Sequence, residues 1–202
     1  MDTFIWGPPM WKVLHSLSFA PPSRIRARKQ QVIEFLECLK DVLPCVYCRN
    51  SYTVFLSELP DIRGVIDNGQ LDRWMFDLHS KVNSKLGVPD PEFERVKKRF
   101  AIRAVQWCPA DVWDLIALFG LNYTSQKSDV YRTWWDTFIP VLQVAGAPSR
   151  MIELLSSVEC PCVDGAFVAT SHVLSTAYSG GERSVRRYDL AKATACRNGT
   201  CK

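Results

Sequence analysis

The sequence has no hydrophobic run near the length of a membrane-spanning helix, which needs about 18 consecutive apolar residues. Residues 1–11 contain an acid at position 2 and two prolines, and they lack the basic segment and apolar stretch of a secretion signal. We therefore expect a protein with no secretion signal and no membrane partner.

The sequence also has little excess of one charge sign and little alternation of apolar and polar residues. The net charge is +4 over 202 residues, and the basic clusters at 24–29 and 97–99 have no accompanying glycine or aromatic pattern. Solvated helix faces explain such clusters better than a nucleic-acid site does, so we expect no nucleic-acid partner. Because no apolar and polar alternation persists for the length of a strand, the sequence predicts an all-α fold.

Cysteine, by contrast, is abundant: eight residues in a chain without a recognisable secretion signal point to metal or redox chemistry. The most informative pair is Cys45 and Cys48, which follow Pro44 at the junction of two predicted helices. The pair can close a small disulfide, and Cys48 lies in a first helical turn, where backbone N–H groups and the helix dipole favour a thiolate. A thiolate is the nucleophile of disulfide exchange. The spacing alone leaves a redox pair, half of a zinc site and chance as alternatives.

Apolar periodicity predicts a bundle of four to five short helices in residues 1–107. Gly87 is a suitable C-cap for the fourth helix, Asp90 is the expected N-cap of the fifth, and Asp61–Gly69 is a predicted loop. The predicted helical segments are Trp11–Ser18, Val32–Leu43, Cys45–Leu59, Leu71–Leu86 and a fifth that carries Phe93 to Trp107.

Cys108-Pro109 marks a predicted boundary, after which residues 108–178 form a second small helical domain. Residues 179–202 have few apolar side chains and many small or charged ones, which predicts a flexible tail that ends in the C-x4-C pair Cys196 and Cys201. The predicted helices of the second domain are Ala110–Leu121, Ser128–Val144, Pro148–Val158 and Ala166–Tyr178.

The second domain echoes the first. Trp11 and Ile33 are 22 positions apart, as are Trp113 and Trp135, but an alanine stands where the first copy has His15 and no CxxC follows. Two interpretations stay open: a degenerate copy without its site, or an unrelated helical domain of similar periodicity.

Three segments of the first half form one pattern. They are Trp6-Gly7-Pro8-Pro9-Met10-Trp11-Lys12-Val13-Leu14-His15, then Pro44-Cys45-Val46-Tyr47-Cys48 with Tyr52, then Trp74-Met75-Phe76-Asp77-Leu78-His79-Ser80-Lys81-Val82-Asn83-Ser84-Lys85-Leu86-Gly87. In order, spacing and residue types these segments resemble the FAD-dependent Erv/ALR sulfhydryl oxidases of the mitochondrial intermembrane space and of large DNA viruses, most of all the viral versions. The resemblance covers about residues 4–107.

The resemblance implies a helical bundle that binds FAD beside the cysteine pair. It makes Cys48 the cysteine that reacts with the flavin and Cys45 the one that exchanges with an incoming thiol. It implies no metal ligand. The implied FAD-binding residues are Trp11, His15, Cys48, His79, Asn83, Lys85 and Phe100, with Ser80 where the family usually has asparagine and Phe100 where it usually has tryptophan.

The implied activity is a thiol oxidase that makes disulfides in reduced protein substrates and reduces dioxygen to hydrogen peroxide. Cys196–Cys201 would act as the shuttle disulfide. The chain would work as a homodimer or as an intrachain pseudo-dimer, in host cytoplasm or a virion if viral, or in the mitochondrial intermembrane space. The alternative from the residues is a zinc-stabilised interaction module, in which His15, or Cys160 and Cys162, complete the ligand set of Cys45 and Cys48.

Three further expectations concern packing. Family members often have a structural disulfide whose two places here are Phe76 and the region of Phe93, so we expect Phe76 to fill that gap. Cys38 lies within a long helix and is expected to be a buried free thiol. The pairing of Cys160 and Cys162 is left open by the sequence.

Overall fold

The computed structural model describes residues 3–102 and 107–179, and every regular element in these two ranges is a helix. The all-α prediction is therefore confirmed. No helix of the described ranges is long and apolar enough to cross a membrane. The helices are α1 (Thr3–Ser18), α2 (Pro22–Ala27), α3 (Lys29–Val42), α4 (Val46–Glu58), α5 (Ile62–Asp67), α6 (Leu71–Leu86), α7 (Phe93–Ile102), α8 (Pro109–Gly120), α9 (Ser128–Val144), α10 (Ser149–Ser156) and α11 (Ala166–Ser179), with a 3-10 turn at Ser125–Lys127.

Helix α1 begins earlier than its predicted apolar face and contains Pro8 and Pro9. Each proline lacks an N–H and removes one backbone hydrogen bond from the helix. Trp6 and Met10, on either side of the prolines, are both buried. Their packing against the core stabilises a segment whose local propensity is poor.

Two local predictions are wrong. The predicted loop Asp61–Gly69 contains α5, because the Asp61 carboxylate accepts a hydrogen bond from the Gly64 amide and three apolar side chains of the segment are buried. Asp90 does not cap the fifth helix of the prediction, which is α7 and starts at Phe93. The Asp90 carboxylate instead accepts a 2.8 Å hydrogen bond from the Asn83 side chain on α6.

An aromatic contact stands at the place of the family's structural disulfide. The rings of Phe76 on α6 and Phe93 on α7 meet edge to face, 5.2 Å between centroids. The Arg73 guanidinium lies 5.5 Å from one centroid and 5.1 Å from the other. The contact between α6 and α7 is thus noncovalent here, with the geometry of favourable aromatic and cation–π pairs.

The two halves of the chain share one buried core. Phe35 of α3 stacks on Phe138 of α9 with 6.0 Å between centroids, and Trp6 of α1 meets Phe119 of α8 at 6.4 Å. A part-buried ion pair of 3.2 Å joins Lys12 to Asp111. The second half therefore packs directly on α1 and α3, and the division at residues 107 and 108 stays a prediction.

Within the second half, α8 and α11 run close together. Gly120 lies against Phe167, and a Cβ at this glycine would collide with that ring. Ser171 of α11 donates a 2.6 Å hydrogen bond to the Trp113 carbonyl of α8. Glycine at position 120 thus permits the close approach of these helices.

Cys38 is confirmed as a buried free thiol. Its Sγ donates to the Phe35 carbonyl at 3.1 Å, within α3. Burial is the main cause that raises the pKa of this thiol above its usual range. Cys38 is therefore a protonated core side chain.

Candidate redox and flavin site

The Cys45–Cys48 segment lies where α3 gives way to α4. Leu43 has extended backbone angles before Pro44, as a residue that precedes proline prefers, and Cys45 occupies the N-cap position of α4. The Arg49 guanidinium donates a 2.6 Å hydrogen bond back to the Leu43 carbonyl. The proline ends α3, and Arg49 fixes the turn that presents both sulfurs.

Both thiols of the pair are free, so the possible Cys45–Cys48 disulfide is not formed in this structure. Cys45 is buried and Cys48 is half-buried. The Cys48 thiol is the main cause that lowers the pKa of Cys45 to about 6, and the backbone N–H groups of Cys48 and Tyr47 act in the same direction. The reduced pair therefore loses its first proton more readily, and its second less readily, than isolated thiols do.

The interaction with the Cys45 thiol is the main cause that raises the pKa of Cys48, and burial acts in the same direction. The Lys85 ammonium opposes this rise electrostatically. Lys85 donates a 2.6 Å hydrogen bond to the Ser51 hydroxyl, so it ties the end of α6 to the first turns of α4. A cation on this side of the pair would favour a thiolate on Cys48 once Cys45 is consumed in a disulfide.

A second cluster brings together four of the predicted cofactor residues. His15 Nε2 and His79 Nδ1 are 2.8 Å apart, so one ring donates a hydrogen bond to the other. The indole of Trp11 stacks on the His79 ring with 3.7 Å between centroids and a 7° interplanar angle. His15 also lies 5.3 Å from Phe100 of α7.

Both histidines are neutral at physiological pH. Burial is the main cause that lowers the pKa of His15 to about 3, and His79 and Arg99 add to the effect. Burial likewise lowers the pKa of His79 to about 4, against an opposing effect of Asp90. A neutral imidazole offers one donor and one acceptor, which suits recognition of a polar heterocycle.

The cluster lines a cavity of about 810 Å³ between α1, α6 and α7. Five predicted residues line it, while Cys45, Cys48 and Lys85 do not. Lys85 lines a separate groove between α4 and α6. The predicted residues in the cavity wall are Trp11, His15, His79, Asn83 and Phe100.

Sequence reasoning missed Arg99 and Asp90, which also line the cavity. Arg99 belongs to the basic cluster 97–99 that was interpreted as a solvated face. The available signal was its spacing: Val96, Arg99 and Phe100 lie three and four positions apart on α7 and share one face. Asp90 gave no such signal, because it lies outside any helix.

Cys196 and Cys201, the predicted shuttle pair, lie outside the described residues. Within residues 3–102 and 107–179, no three histidine, cysteine, aspartate or glutamate side chains come close enough to hold a metal ion. The additional ligands that the zinc alternative names already have partners: His15 contacts His79, and Cys160 and Cys162 are bonded to each other.

Comparison with known proteins bears on this site. The model of the Erv1 / Alr family matches residues 8–101, which confirms the resemblance indicated by the motifs. The chain is similar to the mitochondrial FAD-linked sulfhydryl oxidase ERV1 of Saccharomyces cerevisiae, at 28% identity over 95 residues, 46% of this chain and 49% of that protein. The match thus spans about half the length of the yeast relative.

Two viral relatives match over most of their own length. The putative FAD-linked sulfhydryl oxidase 347L of Invertebrate iridescent virus 6 is 24% identical over 44% of this chain and 86% of its own. The FAD-linked sulfhydryl oxidase of African swine fever virus is 23% identical over 52% of this chain and 91% of its own. No solved structure matches the chain.

Proposed function

We propose that this chain is an FAD-dependent thiol oxidase that makes disulfides in protein substrates. The observation that carries the proposal is the cysteine pair at the start of α4 in the same helical bundle as the histidine- and tryptophan-lined cavity, within the region that matches the Erv1 / Alr family. The names of the relatives as FAD-linked sulfhydryl oxidases support both the cofactor and the reaction.

The residues of the cavity fit the nucleotide part of FAD. Its wall combines aromatic rings with amide and guanidinium groups, and its volume is in the range of small-molecule sites. His15 Nδ1 is buried and has no hydrogen-bond partner among the described residues. A buried nitrogen without a partner is costly, and a ligand hydrogen bond would offset that cost. Trp11 offers a planar face for a ring.

The chemistry of the chain's own residues is thiol–disulfide exchange. In the oxidised pair, a substrate thiolate attacks one sulfur, a mixed disulfide forms, and the second substrate thiol releases the substrate as a disulfide with Cys45 and Cys48 reduced. The low pKa of Cys45 means that one of the two protons has left at neutral pH. FAD, when bound, would supply the acceptor for the electron pair, with dioxygen as the proposed final oxidant and hydrogen peroxide as the proposed product. Cys48 is the proposed contact to the flavin and Cys45 the exchanging cysteine.

A serine at position 48 tests this mechanism. Cys48→Ser should abolish oxidation of dithiothreitol while the protein keeps its flavin absorption, because the electron donor is lost and the cavity is intact. Cys38→Ser is the matched control, since Cys38 is a buried free thiol outside the site. Normal turnover by Cys48→Ser would show that the assigned pair is not the redox centre.

We also propose that the chain works as a single-chain pseudo-dimer. Helices α8 and α9 cover α1 and α3, so the described structure leaves no bare α1–α3 face for a second copy. Sedimentation equilibrium of the full chain should give the mass of one chain. A stable two-chain mass at micromolar concentration would support the homodimer instead.

A further inference from the structure

The groove between α4 and α6 that Lys85 lines has a volume of about 530 Å³ and shares no lining residue with the histidine-lined cavity. It begins at Asn50, two residues after Cys48, and extends along α4 to Glu58. This part of α4 is roughly 12 Å long, which matches about four residues of extended chain. The groove therefore has the dimensions to hold a short peptide segment beside the cysteine pair.

The end of the groove near Cys48 is in contact with the turn that carries the sulfurs. Lys85 donates a 2.6 Å hydrogen bond to the Ser51 hydroxyl, which donates a 2.9 Å hydrogen bond to the Tyr47 carbonyl, between the two cysteines. The interaction with Cys45 and burial raise the pKa of Cys48, and the Lys85 ammonium opposes that rise electrostatically. A chain whose thiol reacts at the cysteine pair thus has its neighbouring residues at this end of the groove.

The two lysines of the groove have different partners. Lys81 Nζ lies 2.7 Å from a carboxylate oxygen of Glu58, so the far end of the groove holds a neutral ion pair. Lys85 forms no ion pair within residues 3–102 and 107–179, and its hydrogen bond goes to an uncharged hydroxyl. An ammonium has three N–H donors, so Lys85 retains donors for a ligand. The end of the groove near the cysteines is therefore the end that suits a carboxylate.

The middle of the groove is apolar. Val54 has 52% of its surface exposed, and the adjacent Phe55 is half-buried. Both lie on α4 between Ser51 and Glu58, and both line the groove. Burial of this apolar surface under an apolar side chain is favourable. Along α4 the groove thus offers a cation, then an apolar surface, then a neutral ion pair.

We propose that this α4–α6 groove docks the substrate chain next to its reactive cysteine and selects segments in which a carboxylate is followed by an apolar side chain. The carboxylate accepts a hydrogen bond from Lys85, and the apolar side chain contacts Val54 and Phe55. The reaction that follows docking rests on the proposed function, whereas docking itself needs no thiol chemistry. The preferred substrate is a protein dithiol with aspartate or glutamate within about two residues of the reactive cysteine.

The first experiment measures docking without redox chemistry. Full-length protein is titrated with a peptide that carries a neutral fluorophore and the sequence Ser-Ala-Ala-Ser-Glu-Ala-Leu, in which two serines replace a cysteine pair. By fluorescence anisotropy, it should bind about threefold more tightly than the version with lysine for glutamate at low salt, and the ratio should approach one at high salt. Equal affinities at low salt would overturn the proposal.

The second experiment removes the cation. Lys85→Gln should abolish the preference for the glutamate peptide, because the uncharged amide attracts a carboxylate much less. Lys98→Gln is the matched control, since it removes the same charge from an exposed position on α7 outside the groove, and it should keep the threefold ratio. An equal loss of preference in both variants would assign the effect to net charge and contradict the proposal.

The third experiment places opposite charges at one exposed position. Val54→Glu and Val54→Lys change the same apolar surface, and the glutamate peptide should bind about tenfold more weakly to the first variant than to the second at low salt. Val173 on α11 is 66% exposed, and the corresponding pair of substitutions there should differ by less than about twofold. Equal affinities of the two Val54 variants would show that the peptide binds elsewhere.

The fourth experiment connects docking with the reaction. With the cysteine pair restored, both peptides serve as oxidase substrates, and kcat/KM for the glutamate peptide is divided by that for the lysine peptide. This ratio should exceed one in the unsubstituted protein and fall below one in Val54→Glu. The same ratio in Val54→Glu and Val54→Lys would overturn the assignment of the groove to the substrate. A protein that oxidises no thiol would refute the proposed function, while the anisotropy measurements still decide the docking site.

Discussion

Burial of His15 makes the stability of this fold depend on pH. The folded protein holds the pKa of His15 at about 3, whereas the unfolded chain has the ordinary value near 6.5. Between these values the unfolded chain binds a proton that the folded protein does not, so stability is present above about pH 6.5 and is lost as pH falls toward 3. From pH 7 to pH 5, His15 alone should remove about 2 kcal/mol of unfolding free energy.

The His15→Gln variant isolates this contribution. Its unfolding free energy should fall by about 2 kcal/mol less between pH 7 and pH 5 than that of the unsubstituted protein, whatever its stability at pH 7. His172→Gln is the matched control, because His172 is exposed on α11. His79 acts in the same direction as His15, so the pH dependence that remains in His15→Gln is assigned to it first.

Urea denaturation followed by tryptophan fluorescence, at constant ionic strength and without added flavin, gives the required free energies. The expected order is a steep pH dependence in the unsubstituted protein and in His172→Gln, and a shallower one in His15→Gln. The same dependence in all three proteins would show that His15 is not held neutral by burial, and the reasoning would fail.

The remaining predictions concern the cofactor site, the contact between the halves and the tail. His79→Ala should purify with less flavin than His172→Ala while its thermal midpoint changes little, and full flavin content would remove His79 from the site. Lys12→Met and Asp111→Asn should each cost about 1 kcal/mol in urea denaturation and be non-additive together, because they remove the same part-buried ion pair; additive losses would argue against the pair. Truncation after Gly181 should slow oxidation of a reduced protein by about tenfold or more and spare dithiothreitol, and equal effects on both substrates would count against the shuttle role.

The helices that sequence periodicity predicted well have a strong local signal. The predicted bounds Leu71–Leu86 and Ser128–Val144 are those of α6 and α9, and Gly87 has the left-handed φ of 68° that a C-cap glycine adopts. Helix α5 was missed because its six residues contain too little periodicity, and burial against neighbouring helices stabilises it. Helix α5 therefore forms because of tertiary packing, which the local sequence pattern does not reveal.

Part of the candidate site could be predicted from spacing. His79 and Asn83 are four positions apart on one predicted helix, and both line the cavity. The hydrogen bond between His15 and His79 joins residues 64 positions apart, which no helical period predicts. The sequence also could not predict that the Lys85 side chain extends toward Ser51 and away from the cavity, because a long side chain at a helix end can reach several neighbours.

The contacts between the halves bear on whether the second domain is a degenerate copy. The alignment of Trp11 with Trp113 is an offset of 102 residues, under which Phe138 corresponds to Leu36. Phe35 therefore stacks on Phe138, the residue that corresponds to Leu36, which is the next residue after Phe35 in the first copy.

In a two-fold pair of identical units, residues near the axis contact their own counterparts or those of adjacent residues, and helices that cross the axis run antiparallel. Trp6, near the start of α1, meets Phe119, near the end of α8, which is the arrangement that such an axis produces. An unrelated domain has no reason to meet α1 and α3 in this register. The packing therefore favours the copy interpretation. In the pseudo-dimer proposed above, the second half would take the place of a partner subunit on α1 and α3, and would stabilise the helix that presents Trp11 and His15 without a cofactor of its own.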